Sequence, residues 1–243
     1  MRMKSNNPGN NRKIQRILFK VGLGILATIL LGAVAFYIYT LDYYRADGVA
    51  KNTTITRTYD NYYVFDPDEE SDMNTGFIFY PGGKVEALAY APLMKKLSDS
   101  GLTVVLVEMP FNLAVFDTAA ADRVLAELEG IDNWFIGGHS LGGAMASSYL
   151  EKTDYEFLGL ILLGAYPLGE VELPMLAIVG SNDRIVNQDK VKELKNPTII
   201  QGGNHGNFGN YGFQKGDGKG SISREEQQKL TVEAIMEFIN SIL

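Results

Sequence analysis

Three residues of this chain have the types that covalent catalysis by a serine requires. Ser140 lies in GGHSLGGA (137–144), which contains G-x-S-x-G; Asp183 lies in VGSNDRIV and His205 in GGNHGNFG. A serine hydroxyl becomes a useful nucleophile only when a base takes its proton. An imidazole does that well when a carboxylate fixes its tautomer and steadies the cation that forms. The chain has only two histidines. His139 adjoins Ser140, and neighbours on a tight turn point apart, so His139 is read as structural. That leaves His205 as the base. Asp183 is the first choice for the orienting carboxylate, with Asp189 the weaker alternative.

Glycine makes up 26 of 243 residues, so G-x-S-x-G by itself separates nothing and its surroundings must decide. WFIGG reads as a strand running into Ser140, and LGGAMASSYLEK as a helix leaving it. A turn this tight holds the serine in a strained backbone and demands small neighbours. Gly138, Gly142, Gly143 and Ala144 supply them. The helix start also brings amide donors and a positive dipole end to the serine. Asp183 follows the apolar run MLAIVG (175–180), and His205 follows TIIQGG (198–203) in a loop with eight glycines between 202 and 220. All three candidates therefore sit at carboxyl ends of strands, where parallel sheets gather their chemistry. A developing oxyanion needs backbone donors. Leu141 offers one. YPGGKV, after the run GFIFY (76–80), offers the other, with Gly83 first and Lys84 next; Lys84 is also a candidate substrate contact.

The elements that must position these residues are legible as an alternation. GFIFY, LTVVLVEM (102–109), WFIGG, GLILLGA (159–165), MLAIVG and TIIQGG are short apolar runs. Helical spacing falls between them at 85–99, 117–129, after Ser140 and near 187–195. Ser223 with Glu226 forms a capping box that opens a last amphipathic helix. Such an alternation predicts an α/β fold: a mostly parallel twisted sheet with helices on both faces. Ahead of it, TITRTY and YYVF around Asp60-Asn61 predict a hairpin ending in the acidic turn DPDEESD. Only about ten residues, Tyr166 to Pro174, separate the GLILLGA and MLAIVG runs, too few for a lid. The site is therefore expected to be open, walled by loops 108–116 and 208–213. Phe111, Phe116, Phe208 and Tyr211 are candidates for an apolar acyl pocket, with simple loop packing as the alternative. Glu108 is either a supporting acid or, the favoured reading, a strand-end contact.

Charge and hydropathy divide the chain. Residues 1–41 hold six basic residues and no acidic one, whereas the remainder holds sixteen basic and twenty-nine acidic. A body this acidic excludes a nucleic-acid-binding role, which needs a basic footprint. Zero cysteines exclude disulfides, thiol nucleophiles and thiolate metal sites. Val21 to Leu41 is free of charge for twenty-one residues, enough for a helix to cross a bilayer, with tyrosines at its far end. The expected order is a basic cytoplasmic tail (1–20), a membrane anchor (21–41), a tether (42–52) and the α/β domain (53–243). A cleaved signal peptide, with Ala33-Val34-Ala35 as the small-residue site, is the competing reading. The basic flank places the body outside the cytoplasm, anchored in one case and secreted in the other.

FYPGGKV, GGHSLGGA, VGSNDRIV and GGNHGNFG, with the order Ser…Asp…His, resemble an α/β-hydrolase over roughly residues 53–243. The resemblance is to the compact single-domain group similar to dienelactone hydrolase and small bacterial carboxylesterases. It implies hydrolysis of carboxylic esters through an acyl-enzyme, with no metal or organic cofactor and a small-molecule or lipid acyl ester as substrate. Dienelactone hydrolase carries cysteine where this chain has Ser140, so its lactone substrate is not implied. Thioesterase, amidase and transacylase activities share the machinery, and a non-catalytic binding module is the reading from another class. No pattern in the chain specifies an oligomeric state.

Overall fold

The computed structural model describes residues 8–68 and 73–243. Part of the basic tail and the end of the acidic turn, 69–72, lie outside the described residues. The chain divides into two compact units, Met1–Asp42 and Tyr43–Leu243. In the first, α1 (Pro8–Leu41) is a single helix whose stretch Gln15–Leu41 is long and apolar enough to cross a membrane. The expected span 21–41 lies inside it. Its length and composition fit an anchor or a signal sequence equally.

The second unit is one eight-stranded sheet in the order β1-β2-β4-β3-β5-β6-β7-β8. The expected hairpin is β1 (Arg57–Thr58) and β2 (Tyr62–Phe65), antiparallel to each other, and β2 runs antiparallel to β4. β3 (Thr75–Tyr80), β4 (Thr103–Val107), β5 (Asn133–His139), β6 (Gly159–Leu163), β7 (Met175–Gly180) and β8 (Thr198–Ile200) are parallel. Because side chains alternate across a strand, each apolar run feeds two cores. Phe77, Phe79, Val104, Leu106 and Phe135 face one core with Leu93, Leu97, Ile235 and Ile239. Those helical residues belong to α3 (Ala91–Ser98) and α7 (Arg224–Asn240). Ile78, Val105, Trp134, Ile136 and Leu162 face the other core with Val124, Ala146 and Tyr149. These come from α4 (Ala120–Glu127) and α5 (Leu141–Leu150). Burying each large apolar side chain contributes roughly 1.5–3 kcal/mol, which accounts for strands without polar alternation. α7 starts where expected, with the Ser223 hydroxyl accepting from the Glu226 amide.

Residues 43–52 correct an expectation. They were expected as a tether, yet they pack onto the body and include the short helix α2 (Gly48–Lys51). Ala46 and Ala50 are buried, the Tyr44 amide donates to the Lys84 carbonyl at 2.8 Å, and the Asp47 amide donates to the Asn210 carbonyl at 2.8 Å. A polar, charged segment is held here by partners far away in sequence.

Candidate active site

β3 is the point where the strand order reverses, with β4 on one side and β5 on the other. Crevices form at the carboxyl ends of strands at such points. Register pairs Tyr80 with Gly138 and so sets the Pro81-Gly82-Gly83 loop beside Ser140. Ser140 caps α5 with φ 52° and ψ −121°, a left-handed backbone that a non-glycine residue adopts only when its surroundings impose it. Its amide donates to the Leu163 carbonyl at 2.9 Å, and its carbonyl accepts from Ala144 at 3.1 Å. Close approach makes the turn possible: a Cβ on Gly142 would lie 2.2 Å from the Tyr80 carbonyl oxygen and 2.3 Å from that of Pro81.

Asp183 and His205 form a fully buried pair. His205 Nδ1 lies 2.7 Å from Asp183 Oδ2, while Asp183 Oδ1 accepts the amides of Ile185 at 2.8 Å and Val186 at 2.9 Å. A carboxylate only accepts, so Nδ1 carries the proton and donates it, and Nε2 presents its lone pair. Nε2 makes no hydrogen bond among the described residues, Ser140 included. Catalytic hydrogen bonds are often long before substrate is bound. Gly164, after β6, has φ 52°, and a Cβ there would lie 2.9 Å from His205 Nδ1 and 3.1 Å from Asp183 Oδ2. Gly164 belongs to none of the four motifs, and its place at a strand end is the one signal for it in the sequence. Asp189 is exposed on α6 (Gln188–Glu193) and pairs with Lys192 at 2.8 Å, away from His205.

The PGG loop narrows the choice of oxyanion donor. The Gly82 amide donates to the Tyr90 hydroxyl at 3.1 Å and the Lys84 amide to the Asn112 carbonyl at 2.7 Å. Gly83 lies between them with no such acceptor among the described residues, and its Cα packs on the Leu141 side chain. The Leu141 amide opens α5, where helical amides have no acceptor within their own helix. Lys84 is thus not the alternative donor; its backbone, at φ 57°, ties the loop to residues 44 and 112.

His139, set aside as structural, turns out to be embedded in a network. Its ring is buried 4.4 Å from that of His205 and 5.5 Å from Phe208, and its Nδ1 lies 2.7 Å from the Tyr90 hydroxyl. Burial, reinforced by the neighbouring His205, holds the His139 imidazole well below its ordinary pKa. Burial likewise raises the Tyr90 phenol. Both groups are therefore neutral at physiological pH.

The groove at Ser140 has a different lining from the one expected. It measures about 410 Å³, and its apolar walls include Leu141, Met145, Ala165, Leu168, Ile185 and Val186. Phe208 and Tyr211 instead lie in the core, Tyr211 packed against Tyr44 and Tyr90. Phe111 and Phe116 make an exposed edge-to-face pair at 5.7 Å and do not line the groove. Their rings stay exposed, and the groove is walled instead by α5 and the loops after β6 and β7. Glu108 accepts the Tyr63 hydroxyl at 2.6 Å and its amide bonds the Asn61 carbonyl, which is a strand-end contact.

A sequence model of the alpha/beta hydrolase family matches residues 76–229. The chain belongs to that family. Among solved structures, this hydrolase is similar to the butyrate-bound thermophilic esterase Est2 of Thermogutta terrifontis, with 17% identity and a TM-score of 0.53. That match covers 78% of this chain and 92% of the esterase. It is also similar to a Coxiella burnetii alpha-beta serine hydrolase homologue (18% identity, TM-score 0.53, covering 74% and 99%). Est1E of Butyrivibrio proteoclasticus, solved with ferulic acid, matches at 14% identity and TM-score 0.53, covering 74% and 95%. At these identities the likeness establishes the fold. No curated protein matches this hydrolase by sequence. Residues 164–174, between β6 and β7, contain no helix in this hydrolase, so the lid expected to be absent is not built there.

Proposed function

We propose that this hydrolase cleaves carboxylic esters through an acyl-enzyme formed on Ser140. The observation that carries the reading is the buried Asp183–His205 pair, whose bonding leaves the Nε2 lone pair for a proton. His205 takes the Ser140 proton as Oγ attacks the ester carbonyl, giving a tetrahedral intermediate whose oxygen the Gly83 and Leu141 amides receive. The imidazolium then protonates the leaving alcohol and the acyl group stays on Ser140. Water, deprotonated by His205, attacks the acyl carbon, and collapse returns the carboxylic acid and free Ser140. Asp183 holds His205 throughout. The apolar groove supports an acyl chain over a charged group. Esters are favoured over thioesters and amides by the esterase neighbours alone.

α1 is read as an uncleaved anchor with its basic N-terminal flank in the cytoplasm and the body outside. Purified full-length protein in detergent should hydrolyse p-nitrophenyl butyrate, and Ser140→Ala should not. Equal inactivity of both across graded esters and thioesters would overturn the enzymatic reading. For topology, a phosphatase reporter fused after Leu243 is expected to be active; a reporter active only in the cytoplasm would contradict the anchor's orientation.

A further inference from the structure

The loops after β7 and β8 carry a feature the hydrolase chemistry does not use. Phe213 is 58% exposed at the tip of the last glycine-rich loop, and Ile185 is exposed on the loop after β7. The two loops touch, since a Cβ on Gly216 would lie 3.6 Å from Ile185 Cδ1. Around them stand Arg184, Lys215 and Lys219, all exposed and none in a salt bridge among the described residues. Arg184, Phe213 and Lys219 line one depression. The intervening Asp217 is buried there, its oxygens taken by the amides of Arg184, Gly206 and Gly218. Asp183 and Asp217, the carboxylates of the depression, are buried, so the exposed charges of this partly apolar patch are cationic, on a body with a large acidic excess.

Two observations bear on what it could meet. Ile185 also walls the Ser140 groove, so patch and groove share a rim. The segment that enters the body from α1 is fastened to the same edge: Tyr44 hydroxyl accepts the Lys215 amide at 3.0 Å, and Tyr44 amide bonds Lys84 beside the PGG loop. The residues that directly follow α1 in sequence are therefore fixed next to the patch.

We propose that this patch docks on an anionic bilayer surface and presents the Ser140 groove to acyl esters embedded in lipid. It rests on the ester-hydrolase reading for its substrate and on its own observations for the docking. Apolar side chains inserted at the headgroup boundary and lysines near anionic lipid add in free energy. A cationic rim also discriminates: neutral vesicles offer the apolar contribution without the charge attraction.

The test uses full-length F213W reconstituted in vesicles of phosphatidylcholine alone or with phosphatidylglycerol. Native Trp134 is buried in the core and serves as an internal reference. The new indole is expected to emit to the blue and to be quenched by bromine-labelled lipid in the anionic vesicles, much less in neutral ones. Adding Lys215→Glu and Lys219→Glu should abolish the quenching. An indole that stays water-exposed in both vesicle types, or quenching indifferent to lipid charge, overturns the proposal. In the native background, Lys215→Glu with Lys219→Glu should slow hydrolysis of a vesicle-embedded long-chain ester on the order of tenfold. A soluble butyrate ester should be cleaved as before, and equal loss on both substrates counts against docking. If neither ester is cleaved by unaltered protein, the hydrolase reading fails while the quenching still decides the docking.

Discussion

His139 and His205 stand with ring centroids 4.4 Å apart, both buried, and their surroundings give them opposite chemistry. His205 faces a carboxylate whose other oxygen is pinned by two backbone amides. His139 faces a phenol that itself accepts the Gly82 amide. A carboxylate steadies an imidazolium; a buried neutral phenol does not, and a second imidazole opposes it. The partner across the ring, and not proximity to Ser140, is what sets the two imidazoles apart. His139 instead ties the strand end to the PGG loop through Tyr90.

Loss of the His205 imidazole should have the largest effect. His205→Gln is expected to lower kcat for a butyrate ester by on the order of 10³-fold or more, whereas His139→Gln should lower it by no more than about tenfold. Comparable losses in the two variants, measured as kcat on folded protein, would erase the distinction. Next in size, Gly164→Ala should cost about 1–2 kcal/mol of stability for its left-handed backbone and more than tenfold in kcat, by pushing a Cβ against His205 Nδ1. Denaturant unfolding and steady-state rates on the same preparation check both.

The smallest effect concerns the protonation of His139. Its imidazole is held well below the ordinary 6.5, so below that pH the unfolded chain binds a proton that the folded chain refuses. The neutral form's contribution to stability is complete above about pH 6.5, shrinks as pH falls, and levels off once the folded histidine titrates. His139→Gln removes this decline, making stability less pH-dependent by at most about 1.4 kcal/mol per unit across that window. Urea midpoints between pH 7 and 5 that fall in parallel for both proteins would contradict it.

The sheet and the three candidate residues were legible because their signals are local. Each follows an apolar run within a few residues, and a strand end needs no distant partner to be recognised. Segment 43–52 and the groove were not legible for the converse reason. Tyr44 and Asp47 are held by residues some forty and more than a hundred and sixty positions on, and nothing in ADGVAKN announces them. The groove is assembled from α5 and the loops after β6 and β7, while the aromatics that drew attention went to the core or turned outward. Aromatic type signals burial as readily as a pocket. The contact between His139 and Tyr90 was not legible either, because it depends on a residue forty-nine positions away.

The most direct measurement is labelling by a fluorophosphonate probe, read by peptide mass spectrometry on unaltered protein, His139→Gln and His205→Gln. Adduct is expected on Ser140 in the first two, and loss of rapid labelling in the third. Labelling at another serine, or Ser140 labelled as fast without His205 as with it, would contradict the assignment of His205 as the base that activates Ser140.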